Sequence, residues 1–395
     1  MSKRVAILTG GGDVPGLNIC LKSLVYQVID LGFEPLGVRK GWEGLINYNP
    51  HDPSTFSQYF VELTKNRIRA IDQTAGSYLH SSRLDPRYTP PAMVPTFLPQ
   101  KGDEAHDLTE HLMSAVTHLG LKALIILGDD DMLRYAAFLS QKGVPIIAIP
   151  KTIHNNINGT DYTLGFSTGL ARGVDFVHQL RALAGSREQV VVLETFGDRS
   201  GYSALLMAYL AGVDRALIPE VPYDPMRLAY MVQQDKQMTP SNYAIVTVTN
   251  GSNIDSQKLE EVKAHLSPPS YAAILDGTKT AVKPSIGLQS SGLILTELLQ
   301  NLTSEEVFFQ QLTYLMRTGA PDGQDLLGAA NFAITAANLL NEERYGRLAA
   351  FKQDSMWTDI DLNTATNGQK IVDVEAWYDA EQYRPSQGLI WAANN

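Results

Sequence analysis

Val5-Ala6-Ile7-Leu8-Thr9-Gly10-Gly11-Gly12-Asp13-Val14-Pro15-Gly16-Leu17-Asn18 is the stretch whose reading decides the fold. The apolar run Val5–Thr9 reads as a strand, the glycine cluster as a turn, and Leu17–Leu31 as a helix. A strand that feeds a helix through a glycine-rich turn begins an α/β architecture with a mostly parallel sheet. Glycines let the backbone approach an anion closely, and amides at a helix N-terminus point toward it. The same segment is also compatible with a tight structural turn. It is not a P-loop, since no Gly-Lys-Ser/Thr occurs in the chain, and Pro15 takes the third-glycine place of a dinucleotide fingerprint.

Outward from this unit, short apolar runs alternate with amphipathic stretches. Strands are expected at Val5–Thr9, Pro35–Val38, Ala123–Leu127, Pro145–Ile149, Val190–Glu194, Ala216–Ile218 and Tyr243–Val248. Helices are expected at Leu17–Leu31, Leu108–Leu119, Met132–Lys142, Gly165–Ala184, Gly201–Ala211, Pro225–Gln234 and the alanine-rich Gly323–Leu340. Asp85–Asp103 carries five prolines and Ser267–Ser285 three, so both read as surface excursions rather than sheet. At 395 residues the chain is expected to form two domains.

Composition sets the class. Hydrophobic residues make up 44% and charged residues 19%, which is ordinary globular composition. The net charge of −10 argues against nucleic acid as a partner. No apolar run is long enough for a signal peptide or a membrane span, so the chain reads as cytoplasmic. The single cysteine, Cys20, excludes an intrachain disulfide and reads as a small core residue. His106, His111 and His118 lack the spacing of a zinc helix, and Gly197-Asp198-Arg199-Ser200-Gly201 misplaces the serine of a nucleophile elbow.

Two further loops carry chemistry. Ala123–Leu127 ends in Gly128-Asp129-Asp130-Asp131, and three adjacent carboxylates either hold a cation such as Mg²⁺ or form an acidic helix start. The next strand ends in Pro150-Lys151-Thr152-Ile153-His154-Asn155-Asn156-Ile157-Asn158-Gly159-Thr160-Asp161-Tyr162-Thr163. With Gly11–Asn18, Gly76–Arg83 and Leu217-Ile218-Pro219-Glu220, these loops in this order resemble the phosphofructokinase family from Val5 to about Lys352.

The resemblance implies two α/β domains with the site in the cleft between them. The first would comprise residues 1–155 with part of the C-terminal region and bind the phosphoryl donor. Residues 156–320 would bind the acceptor sugar, and the helices of 321–395 would return to the first domain. It implies phosphoryl transfer from pyrophosphate, or ATP, to a sugar phosphate such as fructose 6-phosphate, in glycolysis, with Mg²⁺ as cofactor. Gly11, Gly12, Arg83 and Asp131 would line the donor site, and Asp130 would hold the metal. Lys151 and Thr152 would act with His154 in catalysis. Glu220, Arg317 and Gly197 would hold the acceptor. Asp131 and Lys151 are of the pyrophosphate type. Family members self-associate as dimers or tetramers, so a homo-oligomer is expected.

The pattern fails at informative places. His154 stands where the family carries the aspartate that takes the sugar hydroxyl's proton, and Asn156 replaces a second aspartate. An imidazole serves as base near neutral pH only while unprotonated. Phe196-Gly197-Asp198 puts a carboxylate where the family has arginine, and Gln189 and Phe308 fall on two further arginine positions. Two lost phosphate-binding arginines remove about 3–6 kcal/mol, or about 10²–10⁴ in affinity. Arg187, Arg199 and Arg215 are the nearby cations that would have to substitute. The sequence therefore supports two readings: a phosphotransferase with a substituted base, or an inactive homologue that binds phosphate ligands or regulates an active paralogue.

Overall fold

The computed structural model describes residues 3–74, 76–99, 102–277 and 290–386. It divides into two compact units, Met1–Thr168 with Arg317–Gln369 and Gly169–Met316 with Lys370–Asn395. The first unit contains the strands β1 (Arg4–Thr9), β2 (Glu34–Val38), β3 (Phe60–Glu62), β4 (Ala123–Gly128) and β5 (Ile146–Pro150). The second contributes β6 (Val190–Thr195), β7 (Arg215–Leu217), β8 (Ala244–Thr249) and β9 (Val307–Gln311), after which β10 (Arg347–Lys352) and β11 (Met356–Asp361) complete the first.

In the first unit the strand order is β11-β10-β5-β4-β1-β2-β3. The five inner strands run parallel and the two edge strands, β3 and β11, antiparallel. Val5–Leu8 and Ala123–Leu127 are wholly buried, as strands covered on both faces must be, which explains their unbroken apolar runs. The order reverses between β1 and β4, and such a reversal places the loops after those strands around a crevice at their C-terminal ends. Thr9 pairs with Leu127 and Gly128 with Pro150, so β1, β4 and β5 end side by side. Behind them lie the helices Leu17–Asp30 and Asp130–Gln141.

The second unit holds a four-stranded sheet, β7-β8-β6-β9, parallel throughout. The sequence missed β3, β9, β10 and β11. β9 is partly exposed beyond Val307 and β11 has no fully buried position, so neither carries a core strand's apolar signature. Residues 85–99 contain only short 3₁₀ turns, Pro86–Tyr88 and Pro91–Met93, and an isolated bridge from Thr89 to His106. Pro268–Gly277 is helical, and residues 278–289 of the second proline-rich stretch lie outside the described residues.

The unit boundaries differ from those expected at 155/156 and 320/321. The chain leaves the first unit at Thr168, inside the helix Phe166–Arg187, and re-enters it at Arg317. Residues 156–168 are retained by hydrogen bonds from Asn155 Nδ2 to the Asp161 carbonyl (2.9 Å) and from the amides of Gly165 (2.7 Å) and Thr168 (2.8 Å) to Asp325. From Lys370 on, the chain belongs to the second unit, not the first. Ser200 Oγ donates to the Lys370 carbonyl (2.7 Å), the Val372 amide donates to Glu220 (2.9 Å), and Tyr378 Oη donates to the Ala216 carbonyl (2.6 Å).

Candidate functional site

The first unit gathers four of the five anticipated loops, all but Leu217–Glu220. Gly11 adopts φ +79°, and a Cβ there would overlap the Asp129 carboxylate; a Cβ at Gly12 would overlap the Arg317 guanidinium. Only glycine permits that double approach. The amides of the glycine loop are nonetheless taken by protein acceptors. Gly10 donates to the Leu127 carbonyl (3.1 Å), Gly11 to the Ser82 carbonyl (3.1 Å) and Gly12 to Asp129 Oδ2 (3.2 Å). A phosphate would meet the side chains around this loop rather than a row of open amides.

Lys151 is the central cation. Its ammonium donates to the Gly12 carbonyl and is 1% exposed. Burial lowers its pKa to about 8; the charges of Arg317 and Arg83 act in the same direction, and Asp129 and Asp13 oppose them. A lysine so placed is a strong attractant for a phosphoryl anion, because the anion would restore the counter-charge that burial removes.

The three carboxylates after β4 divide by direction. Asp129 caps the helix Asp130–Gln141 through the Met132 amide (3.4 Å) and turns its other oxygen to Gly12. Asp130 accepts from Arg134 Nη2 (2.8 Å) and from Gln369, and burial, then Asp131 and Asp129, raise its pKa. Asp131 is 71% exposed and pairs with the same arginine (2.5 Å). Successive helical positions rotate by about 100°, so only one of the three faces the glycine loop. That residue is Asp129, one place before the expected metal ligand Asp130. Asp131 faces solvent instead of the donor loop.

His154 and Arg317 meet in the same unit. Arg317 Nη2 donates to His154 Nε2 (3.1 Å), and Nη1 donates to the Asp13 carbonyl (3.4 Å). A guanidinium has no acceptor, so the imidazole here is the neutral tautomer with its lone pair directed at Arg317. Burial, reinforced by Arg317 and Arg83, lowers its pKa to about 3. Thr152 is buried and its Oγ1 accepts from the His154 amide (3.1 Å), which fixes the loop rather than exposing a hydroxyl.

The expected acceptor residues Gly197 and Glu220 lie in the second unit. Glu220 takes the amides of Gly201 (2.9 Å) and Val372 (2.9 Å), so its carboxylate ties backbone together. Gly197 donates its amide to Asn250 Oδ1 (2.7 Å), and Asn250 in turn donates to the exposed Asp198. Gln189 is 3% exposed with Oε1 unpaired, and Phe308 sits within β9. Arg215 is no substitute cation: Asp235 binds it at 2.6 and 2.7 Å, and it donates to the Gln382 carbonyl (2.5 Å).

Sequence reasoning also passed over Asp325. It is fully buried and accepts from Tyr162 Oη, the amides of Gly165 and Thr168, and Thr168 Oγ1 (2.5 Å). It anchors the chain that leads away from the Lys151 loop, and nothing local in its sequence distinguishes it from a surface helix residue.

The parallel sheet, its reversal point and the lysine–glycine–carboxylate cluster gathered there define an α/β protein with a charged crevice at the C-terminal ends of its strands. Residues 4–340 match the family described as Phosphofructokinase, and the chain belongs to that family. It is 28% identical to the ATP-dependent 6-phosphofructokinase of Chloroflexus aurantiacus over all of this chain and 96% of that one. It is 30% identical to the pyrophosphate–fructose 6-phosphate 1-phosphotransferase of Dictyoglomus thermophilum, covering 96% of this chain and 98% of that one. The fold matches the pyrophosphate-dependent phosphofructokinase of Marinobacter aquaeolei with TM-score 0.73 and 15% identity, over 98% of this chain and 89% of the other. It also matches phosphofructokinase from Saccharomyces cerevisiae with TM-score 0.68 and 20% identity, over 92% and 45%. Among the described residues no helix is long and apolar enough to cross a membrane.

Proposed function

We propose that the chain is a phosphotransferase that takes its phosphoryl group from pyrophosphate, or from ATP, and passes it to fructose 6-phosphate or a related sugar phosphate. The observation that carries this reading is the joined cluster of Lys151, Gly12 and Asp129 at the reversal point of the sheet. Lys151 and Arg83 supply the positive charge that a transferring phosphoryl group requires. Among the described residues no group of three or more His, Cys, Asp or Glu side chains could enclose a metal. Mg²⁺ needs fewer, because it commonly takes one or two carboxylates and fills its shell with substrate phosphate and water. Asp129, which among the described residues accepts only two backbone amides and keeps further lone pairs beside the glycine loop, would fit that need, whereas Asp130 is paired with the Arg134 cation and Gln369. The ion would bridge and neutralise donor oxygens.

His154 would receive the acceptor's proton only once Arg317 turns away from Nε2. In the arrangement seen, its lone pair is occupied and its basicity low, which favours the second reading, a phosphate-binding or regulatory homologue. Purified protein with Mg²⁺, fructose 6-phosphate and pyrophosphate or ATP separates the two. Turnover above that of an Asp129→Ala control supports the enzyme. Absence of turnover, with pyrophosphate still raising the melting temperature, supports the binding protein.

A further inference from the structure

We propose that His154 is an anion-binding residue which takes up a proton when a phosphate-type anion occupies the Lys151 cluster, so that anion binding and protonation are linked. The inference rests on the reading of that cluster as a phosphoryl site.

The argument starts from the charges around the ring. Arg317 donates directly to Nε2 from the segment Thr313–Arg317, and Arg83 acts on the ring from the loop after Ser82. Lys151 stands on the same loop as His154 and feels the same two arginines. The carboxylates within this set are Asp13, whose carbonyl Arg317 also binds, and Asp129, bound to Gly12. Three cations thus face two carboxylates. A carboxylate at position 154 would have made the set neutral; a neutral imidazole leaves one positive charge in excess.

A dianion entering the set reverses that balance. It draws the donors of Arg317 to its own oxygens, because a guanidinium binds an oxyanion more strongly than a neutral ring nitrogen. Nε2 then loses its donor and gains a negative neighbour, and both changes favour protonation. The proton comes from solvent and stays on Nε2, where it donates to an anion oxygen, so in the anion-bound state the ring holds the anion and does not serve as the acceptor's base. No covalent bond is made or broken. The consequence is that affinity for a phosphate-type anion rises as pH falls, approaching tenfold per pH unit where uptake is complete.

Sulfate is the direct probe, since it stays dianionic between about pH 5 and 8 and any proton taken up belongs to the protein. Calorimetric titration of the full chain with sodium sulfate at pH 6, in two buffers of different ionisation enthalpy, counts that proton. The expected result is uptake of about half to one proton per sulfate, lost in His154→Gln, which still binds sulfate but with an affinity nearly independent of pH. Equal uptake in both proteins, or none in either, overturns the linkage while leaving the anion site standing. Failure of both sulfate and pyrophosphate to bind overturns the phosphoryl-site reading itself. Should the glutamine variant not fold, the native His154 resonance decides: its apparent pKa must rise on sulfate addition, and an unchanged titration sinks the proposal.

Discussion

The two units treat their charged side chains in opposite ways. In the first, Lys151, Asp129, Asp13, Arg83 and Arg317 form one electrostatic set around a glycine loop, and each influences another's ionisation or geometry. In the second, charges pair singly: the expected acceptor residue Glu220 takes two backbone amides and the nearby cation Arg215 binds Asp235, with Gln189 neutral, while Arg317, also expected at the acceptor, belongs to the first unit's set. A set of coupled charges around glycine is the mark of a binding site, because its members cannot all be satisfied by one another. Isolated charges with complete partners are the mark of a scaffold. On the proposed function, the first unit is the half expected to hold phosphoryl groups, and the second shows no comparable set at the residues named.

The largest expected effect tests that contrast inside the first unit. If Asp129 holds the metal as proposed, Asp129→Ala should lower phosphotransfer at least about 10³-fold, whereas Asp130→Ala should change it by less than about tenfold. Equal loss in both variants would return the metal to Asp130. Next, Asp325→Ala should destabilise the first unit by about 3 kcal/mol or more, because Tyr162, Gly165 and Thr168 lose a buried acceptor. Urea titration of the first unit's transition reads this directly, and a cost below about 1 kcal/mol would show that the network relaxes around the loss.

A smaller effect follows from pH. His154 has a folded pKa of about 3 against an ordinary 6.5, so between those values the unfolded chain binds a proton that the folded chain does not. Its contribution to stability is complete above pH 6.5 and is lost progressively as pH falls toward 3. Between pH 6.5 and 5 the loss should be about 2 kcal/mol, and His154→Gln should lack it. Parallel stability curves for the two proteins would contradict the neutral, arginine-bound imidazole. The smallest effect tests the second unit: Asp198→Arg, at an exposed position, should lower the KM for fructose 6-phosphate about tenfold by supplying a missing cation. An unchanged KM would mean that the acceptor of this protein carries no phosphate there.

Much of the fold was legible because its inner strands are short, apolar and separated by helices of matching period, as Val5–Thr9 and Ala123–Leu127 show. Less legible were β9 and β11, whose partial exposure removes the apolar signal, and the crossing at Thr168, which depends on Asp325 more than 150 residues away. That the glycine, lysine and carboxylate loops lie together was suggested by their order along the chain, and the structure brings them into one unit. Which of Asp129, Asp130 and Asp131 faces the glycine loop was not readable, since that choice follows from a helix cap and the rotation of the first turn.

What the sequence by itself determined is therefore the family and the α/β class, which rest on motifs and strand–helix patterns ordered along the chain. What only the tertiary structure decided is where the charges go. Arg317 reaches His154 across 163 residues of chain, Asp129 rather than Asp130 meets Gly12 across 117, and Glu220 is consumed by Gly201 and Val372. Electrostatic interaction depends on distance and burial in space, and neither is written in the order of the residues.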